Sequence, residues 1–133
     1  MKSEKILPEY FDVLFIPHEV AIAWPDEFWI VTACDPYSSG ETSNDAAASA
    51  ELSKRLEDLG AWQARLRGTS PDREHREESF AVGGLGRATV LELGRGFLQN
   101  AVFHVVGDEL SVVACDDSAE IPVGSFREKI RPA

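Results

Sequence analysis

The run Phe-Trp-Ile-Val-Thr-Ala-Cys at residues 28–34 is the strongest constraint on what this chain can fold into. Successive side chains of a strand point to opposite faces, so a strand made from this run has apolar groups to bury on both sides. It predicts a central strand covered on both sides, or one end of a core. Upstream, Phe11, Val13 and Phe15 alternate with other residues, and Val20, Ile22 and Trp24 follow, punctuated by Pro17 and Pro25. These are further N-terminal β segments.

The turn-rich stretch DPYSSGETS leads into a helix over residues 44–59, with Ala48, Leu52, Leu56 and Leu59 on one face. Ser43 or Asn44 caps its start and Gly60 stops it. Trp62, Ala64 and Leu66 then alternate with Gln63, Arg65 and Arg67, a strand with one face in the core and a basic face in water. The stretch GTSPDREHREE breaks periodicity and reads as a mobile, charged loop. ESFAV, from Glu78, reads as a short strand; Gly83, Gly84 and Gly86 make a turn; residues 87–98 form a second helix with Val90, Leu93 and Phe97 inward. Gly94 and Gly96 each cost that helix roughly 1 kcal/mol against alanine, so close packing of backbone on a neighbour is expected there. AVFHVV and ELSVVAC form a hairpin joined at Gly107 and Asp108, and signals weaken after Asp116.

From residue 28 the order is strand, helix, strand, strand, helix, strand, strand. That order predicts an α+β fold, a ferredoxin-like βαββαβ sandwich with an added C-terminal strand and both helices on one face. The same order with different strand neighbours is the alternative, because sequence order does not fix spatial order. With 133 residues and 44% hydrophobic content, one domain with a core over about 10–116 and a tail at 117–133 is expected. No apolar run reaches the ~20 residues of a membrane span, and no secretory leader is visible, so a cytoplasmic location is expected. Cys34 and Cys115 form no zinc or redox pattern, and His18, His75 and His104 no metal or triad spacing. No metal or cofactor is expected. The formal net charge of −10 makes nucleic acid and anionic membranes poor partners.

Chemistry-bearing residues recur at element ends. Thr32 and Asp35 flank the end of the central strand, and Asn44 opens the first helix. A helix start offers free N–H groups to an anion, although turn and cap roles explain the same residues. GGLGR at 83–87 lies between strand and helix as phosphate loops do, but it lacks the P-loop Lys-Ser/Thr, and Thr89 breaks the dinucleotide fingerprint. Gln99 and Asn100, between helix and strand, either tie the helix end or face a pocket. Glu78 beside Ser79 is a further carboxylate and hydroxyl at a strand start.

The segments IVTACDP, EESFAVGGL, ELGRGFLQNAVF and LSVVAC resemble a bacterial family, the domain of unknown function 3293 family, from about residue 28 to 115. Its most specific pieces are Thr-Ala-x-x-Pro, Glu-Ser-Phe and Phe-x-Gln-Asn-Ala. They fall on Thr32, Ala33 and Pro36, on Glu78, Ser79 and Phe80, and on Phe97, Gln99, Asn100 and Ala101, with Asn44 and Gly94 also matching. This chain has Asp35 where the family often has Asn, and Cys34 where it has an aromatic. The resemblance implies the extent of the domain and carries no activity.

The leading expectation is a binding or regulatory module in which Thr32, Asp35, Asn44, Glu78, Ser79, Gln99 and Asn100 gather around a small polar ligand or a protein partner. The alternatives are a hydrolase or transferase on a small or nucleotide-like substrate, using Asp35 or Glu78 as acid/base with the 83–87 turn holding an anion, and a protein-interaction domain such as a homodimer.

Overall fold

The computed structural model describes residues 11–19, 22–33, 45–72, 76–116 and 119–132. Its elements are β1 (Leu14–Pro17), β2 (Glu27–Thr32), α1 (Asp45–Asp58), β3 (Trp62–Thr69), β4 (Arg76–Gly83), α2 (Arg87–Gly96), β5 (Ala101–Val106), β6 (Glu109–Ala114), β7 (Glu120–Ser125) and α3 (Phe126–Lys129). The strands form one seven-stranded sheet in the order β1-β3-β4-β2-β5-β6-β7. Every neighbouring pair is antiparallel. The fold is α+β, and β2 lies at the centre of the sheet as its two apolar faces require.

Those faces feed two cores. Trp29, Val31 and Ala33 pack with Leu52 and Leu56 of α1 and Val90, Leu91 and Leu93 of α2, so both long helices cover the same face. Phe28 and Ile30 point the other way, into a core with Phe15, Leu66, Phe103, Val105, Leu110 and Phe126. Among the described residues no long helix covers this second core. The sheet curls over it instead, until its margins meet: Phe15 of β1 bridges Ile130, just past β7 and α3, and the Arg131 N–H donates to the Phe15 carbonyl at 2.8 Å. Phe126 closes the concavity, its ring 5.1 Å from Trp24 and 5.2 Å from Phe28 between centroids. Edge-to-face aromatic pairs at such spacings add to the gain from burial.

The structure departs from several sequence expectations. The charged loop is shorter than its composition implies, since the β3–β4 ladder continues through Gly68↔Glu77 and Thr69↔Arg76. Residues 73–75, including His75, lie outside the described residues. Leu59 does not join the apolar face of α1: the helix ends at Asp58, and Leu59 is 47% exposed. The weakly signalled stretch after Asp116 supplies β7 and α3, whose start Ser125 caps by accepting from the Glu128 N–H.

α2 stops at Gly96 rather than at Leu98. The Gln99 N–H donates to the Gly94 carbonyl and the Leu98 N–H to the Arg95 carbonyl, the paired closure that puts one residue in the left-handed region. That residue is Leu98, at φ 59°, where glycine is the usual occupant. Of the two helical glycines expected at a close approach, only Gly94 has one. A Cβ there would meet Cys115 Sγ at 2.6 Å and Val102 Cγ1 at 3.1 Å, whereas one on Gly96 would meet nothing within 4 Å. Gly94→Ala is therefore expected to lower stability by about 1–3 kcal/mol through overpacking. Gly96→Ala is expected to raise it by up to about 1 kcal/mol. Urea-unfolding midpoints of the two variants, moving in opposite directions, check both.

Candidate functional site

β3 and β4 reach beyond the part of the sheet that α1 and α2 cover, and on this wing the helix-facing side of the sheet is polar. Alternation puts Arg65 and Arg67 of β3 on that side together with Arg76, Glu78 and Phe80 of β4. The register sets Arg65 opposite Phe80 and Arg67 opposite Glu78. Each cross-strand pair is used. The Arg65 guanidinium lies over the Phe80 ring, 5.1 Å from its centroid, and Arg67 Nε donates to Glu78 Oε2 at 3.0 Å.

Glu78 is the hub of the wing. Besides Arg67 it has His18 Nε2 at 2.7 Å from Oε1 and Arg65 Nη2 at 3.7 Å from the same oxygen. Partial burial pushes this carboxyl up, but the hydrogen bond from Arg67 and the contacts with His18 outweigh burial and hold it below its ordinary value of 4.5. The carboxylate is thus kept ionised. Beside it, between α1 and the wing, runs an open cleft of about 610 Å³ lined by Ala46, Ser49, Ala50, Ser53, Lys54 and Glu57 of α1 and by Arg65 and Glu78. That volume is within the range of small-molecule sites.

The other expected site residues are placed as follows. Thr32 is opposite Ser79 in the β2–β4 ladder, and continuing the β2–β5 register past Ile30↔Phe103 sets Thr32 level with Ala101, next to Asn100 and Gln99. The described candidates therefore share one end of the central strands. Their side chains do not share one face, because Ser79 and Thr32 point into the curled side while Glu78 points to the cleft. Thr32 Oγ1 donates to the Glu78 carbonyl at 2.9 Å, Ser79 Oγ is 3.5 Å from the Glu77 carbonyl, and Gln99 Nε2 donates to the Phe97 carbonyl at 3.1 Å. The Asn100 carbonyl accepts from the Cys115 N–H. Asp35 and Asn44 lie outside the described residues, as do Cys34, Pro36 and Ser43. Cys115 is buried and free, and burial pushes its thiol up to about 12, so it is no nucleophile.

A second polar cluster occupies the helix-facing side further along the sheet. His104 pairs with Trp29 across β2 and β5 and stacks on its ring at 3.8 Å. Its Nε2 is 2.7 Å from Glu27 Oε2 and its Nδ1 is 3.1 Å from Glu120 Oε2. Arg87 donates to Glu120 at 2.7 Å and also lies over Trp29. Burial pushes the Glu120 carboxyl up, and the hydrogen bonds from Arg87 and His104 bring it below its usual value. Each polar group here has a side-chain partner, which suits a tie between β2, β5 and β7. Sequence reading missed this cluster because its members lie 77 and 16 residues from His104. For the cleft, the exposed basic alternation of Arg65 and Arg67 was the available signal; the α1 wall of Ser49, Ser53, Lys54 and Glu57 carried none.

The family model described as Protein of unknown function (DUF3293) matches residues 31–102, more than half of the 133-residue chain. The chain belongs to this family. No curated protein and no solved structure matches it. The DUF3293 match contains every residue lining the cleft, whereas His18, Glu27, His104 and Glu120 fall outside it. The description assigns no activity, so function rests on the geometry of the DUF3293 region itself.

Because the Glu78 carboxyl is depressed when folded, its contribution to stability is present above pH about 4.5 and is lost as pH falls through the lower folded value. Glu78→Gln is expected to cost about 1–2 kcal/mol at pH 7, from lost charged hydrogen bonds in a partly buried site. The difference from the parent protein should shrink towards zero as both are acidified. Urea unfolding of the two proteins between pH 7 and pH 3 gives the measurement, and a difference independent of pH would refute the ionic role of Glu78.

Proposed function

We propose that the protein is a non-catalytic binding or regulatory module whose small polar ligand occupies the cleft between α1 and the β3–β4 wing, beside Glu78. The observation that carries this reading is the concentration of formal charge at one open concavity: Lys54, Arg65 and Glu57 on its walls and Glu78 at its base. Binding sites are typically concave, with a few convergent polar groups on a rigid frame. Here β3 and β4 are that frame. Glu78, ionised and engaged by Arg67 and His18, is a poor proton donor at neutral pH, which favours binding over acid catalysis.

The enzyme alternative set Asp35 or Glu78 as acid/base against the 83–87 turn as anion holder. Asp35 lies outside the described residues, and Glu78 is five residues from Gly83 along β4, about 17 Å in an extended strand, too far for that pair to serve one small reacting group. The neighbour order β3-β4-β2-β5, with α1 joining β2 to β3 and α2 joining β4 to β5, supports reading the four central strands as a ferredoxin-like unit extended at both edges. No helix among the described residues is long and apolar enough to cross a membrane. The free Cys115 thiol fits a reducing compartment such as the cytoplasm.

A thermal-melt screen against organic acids, sugar phosphates, amino acids, nucleotides and polyamines tests the reading. A ligand at ~100 times its dissociation constant should add about 2.7 kcal/mol of stability. The shift should disappear in Ser53→Trp, which fills the cleft from α1 without altering charge. A shift unaffected by Ser53→Trp would move the site elsewhere, and no shift with any compound would leave a protein partner as the better reading.

A further inference from the structure

The charges at the cleft are unequally committed. Glu78 has Arg67 Nε at 3.0 Å and His18 Nε2 at 2.7 Å, so each of its oxygens already accepts a short contact. Arg65 reaches the same carboxylate only at 3.7 Å, beyond hydrogen-bonding distance. Its side chain is 54% exposed, and its guanidinium carbon lies over the Phe80 ring, 5.1 Å from the centroid. The N–H fork of a guanidinium matches the two oxygens of a carboxylate or phosphate. Lys54 lines the same cleft, and among the described residues the one further carboxylate there, Glu57, lies three residues along the same helix from it. Once Glu78 is assigned to Arg67 and His18, two cations face one acid. Such a local excess of positive charge stands out in a chain of net charge −10.

Resting on the cleft reading above, we infer that the ligand of this site is a small oxyanion-bearing molecule, an organic carboxylate or phosphate, and that Arg65 is the residue that binds its anionic group. The hydroxyl of Ser53 and the short side chains of Ala46 and Ala50 leave room for the rest of the ligand. A cationic ligand is disfavoured, because Glu78 is already engaged on both oxygens and Glu57 is outnumbered by Lys54 and Arg65.

The test is calorimetric titration of the whole chain with succinate and inorganic phosphate, set against uncharged succinamide and the dication putrescine. Succinate or phosphate should bind and the other two should not, and which anion binds more tightly distinguishes the carboxylate from the phosphate source. Affinity should weaken with added salt as charge screening requires. Arg65→Gln should reduce it at least tenfold, and Arg65→Lys should restore part of the loss, as a point charge replaces the fork. Arg127→Gln, an exposed arginine beside Asp108 and away from the cleft, should leave it unchanged. Circular dichroism of each variant establishes that it is folded. Anion binding equal in Arg65→Gln and the parent protein overturns the role of Arg65. Binding of succinamide or putrescine that Ser53→Trp abolishes overturns the anion preference while leaving the cleft as a ligand site. If neither these probes nor the wider screen bind, the inference and the cleft reading fall together.

Discussion

The burial of β2 on both faces is the constraint on which the rest depends. A strand with Trp29 and Val31 on one side and Phe28 and Ile30 on the other cannot be an edge, and each side requires its own cover. One side obtains it from α1 and α2. The other has no helix of comparable length among the described residues, and the sheet itself supplies cover by curling until β1 and the residues after β7 meet through Phe15 and Ile130. Right-handed twist makes such curling natural for an antiparallel sheet of this width, and closure also removes exposed edge groups. Phe126, delivered by the short α3, fills what the curl leaves open.

This solution creates the cleft as a by-product. Two helices of 14 and 10 residues cannot roof seven strands, and the central strands have the stronger claim on them. The wing of β3 and β4 therefore emerges from under α1 with its helix-facing side left uncovered by either helix. Side chains there must tolerate water while resting on a hydrophobic base, and arginine meets both demands by lying over Phe80 with its charge outward. Where α1 stands away from the wing, small residues on its near wall leave a concavity rather than a packed seam.

Strand periodicity, the main helical face and the hairpin at Gly107 were legible because each depends on local repetition. The buried alternation of Trp62, Ala64 and Leu66 and the two-sided run at 28–34 are patterns of this kind. Three features were hidden for separate physical reasons. The end of α2 is masked because Leu98 adopts the left-handed conformation that normally marks its place with glycine. β7 is half exposed along its length, so its apolar residues Ile121 and Val123 alternate around Pro122 and Gly124, residues that ordinarily argue against a strand. The continuation of the β3–β4 ladder through Gly68 and Glu77 is stabilised by pairing rather than by burial, and composition alone reads it as a loop.

The site was less legible than the fold, because polar residues at element ends have two uses that sequence does not separate. Thr32, Ser79 and Gln99 look like ligand groups by position, and each also makes a contact with a main-chain carbonyl, the structural use that buried polar groups require. Glu78 differs because its partners are side chains from β1's flank and β3, brought to it by sheet register rather than by chain proximity. A carboxylate that gathers Arg67 and His18 lowers the mutual repulsion of the basic wing and so allows Arg65 to stand beside them, 3.7 Å from the same carboxylate and largely exposed. If the cleft takes an anion, as proposed, the acidic residue serves it by neutralising the cations nearest the sheet and leaving the outermost one, Arg65, to the ligand.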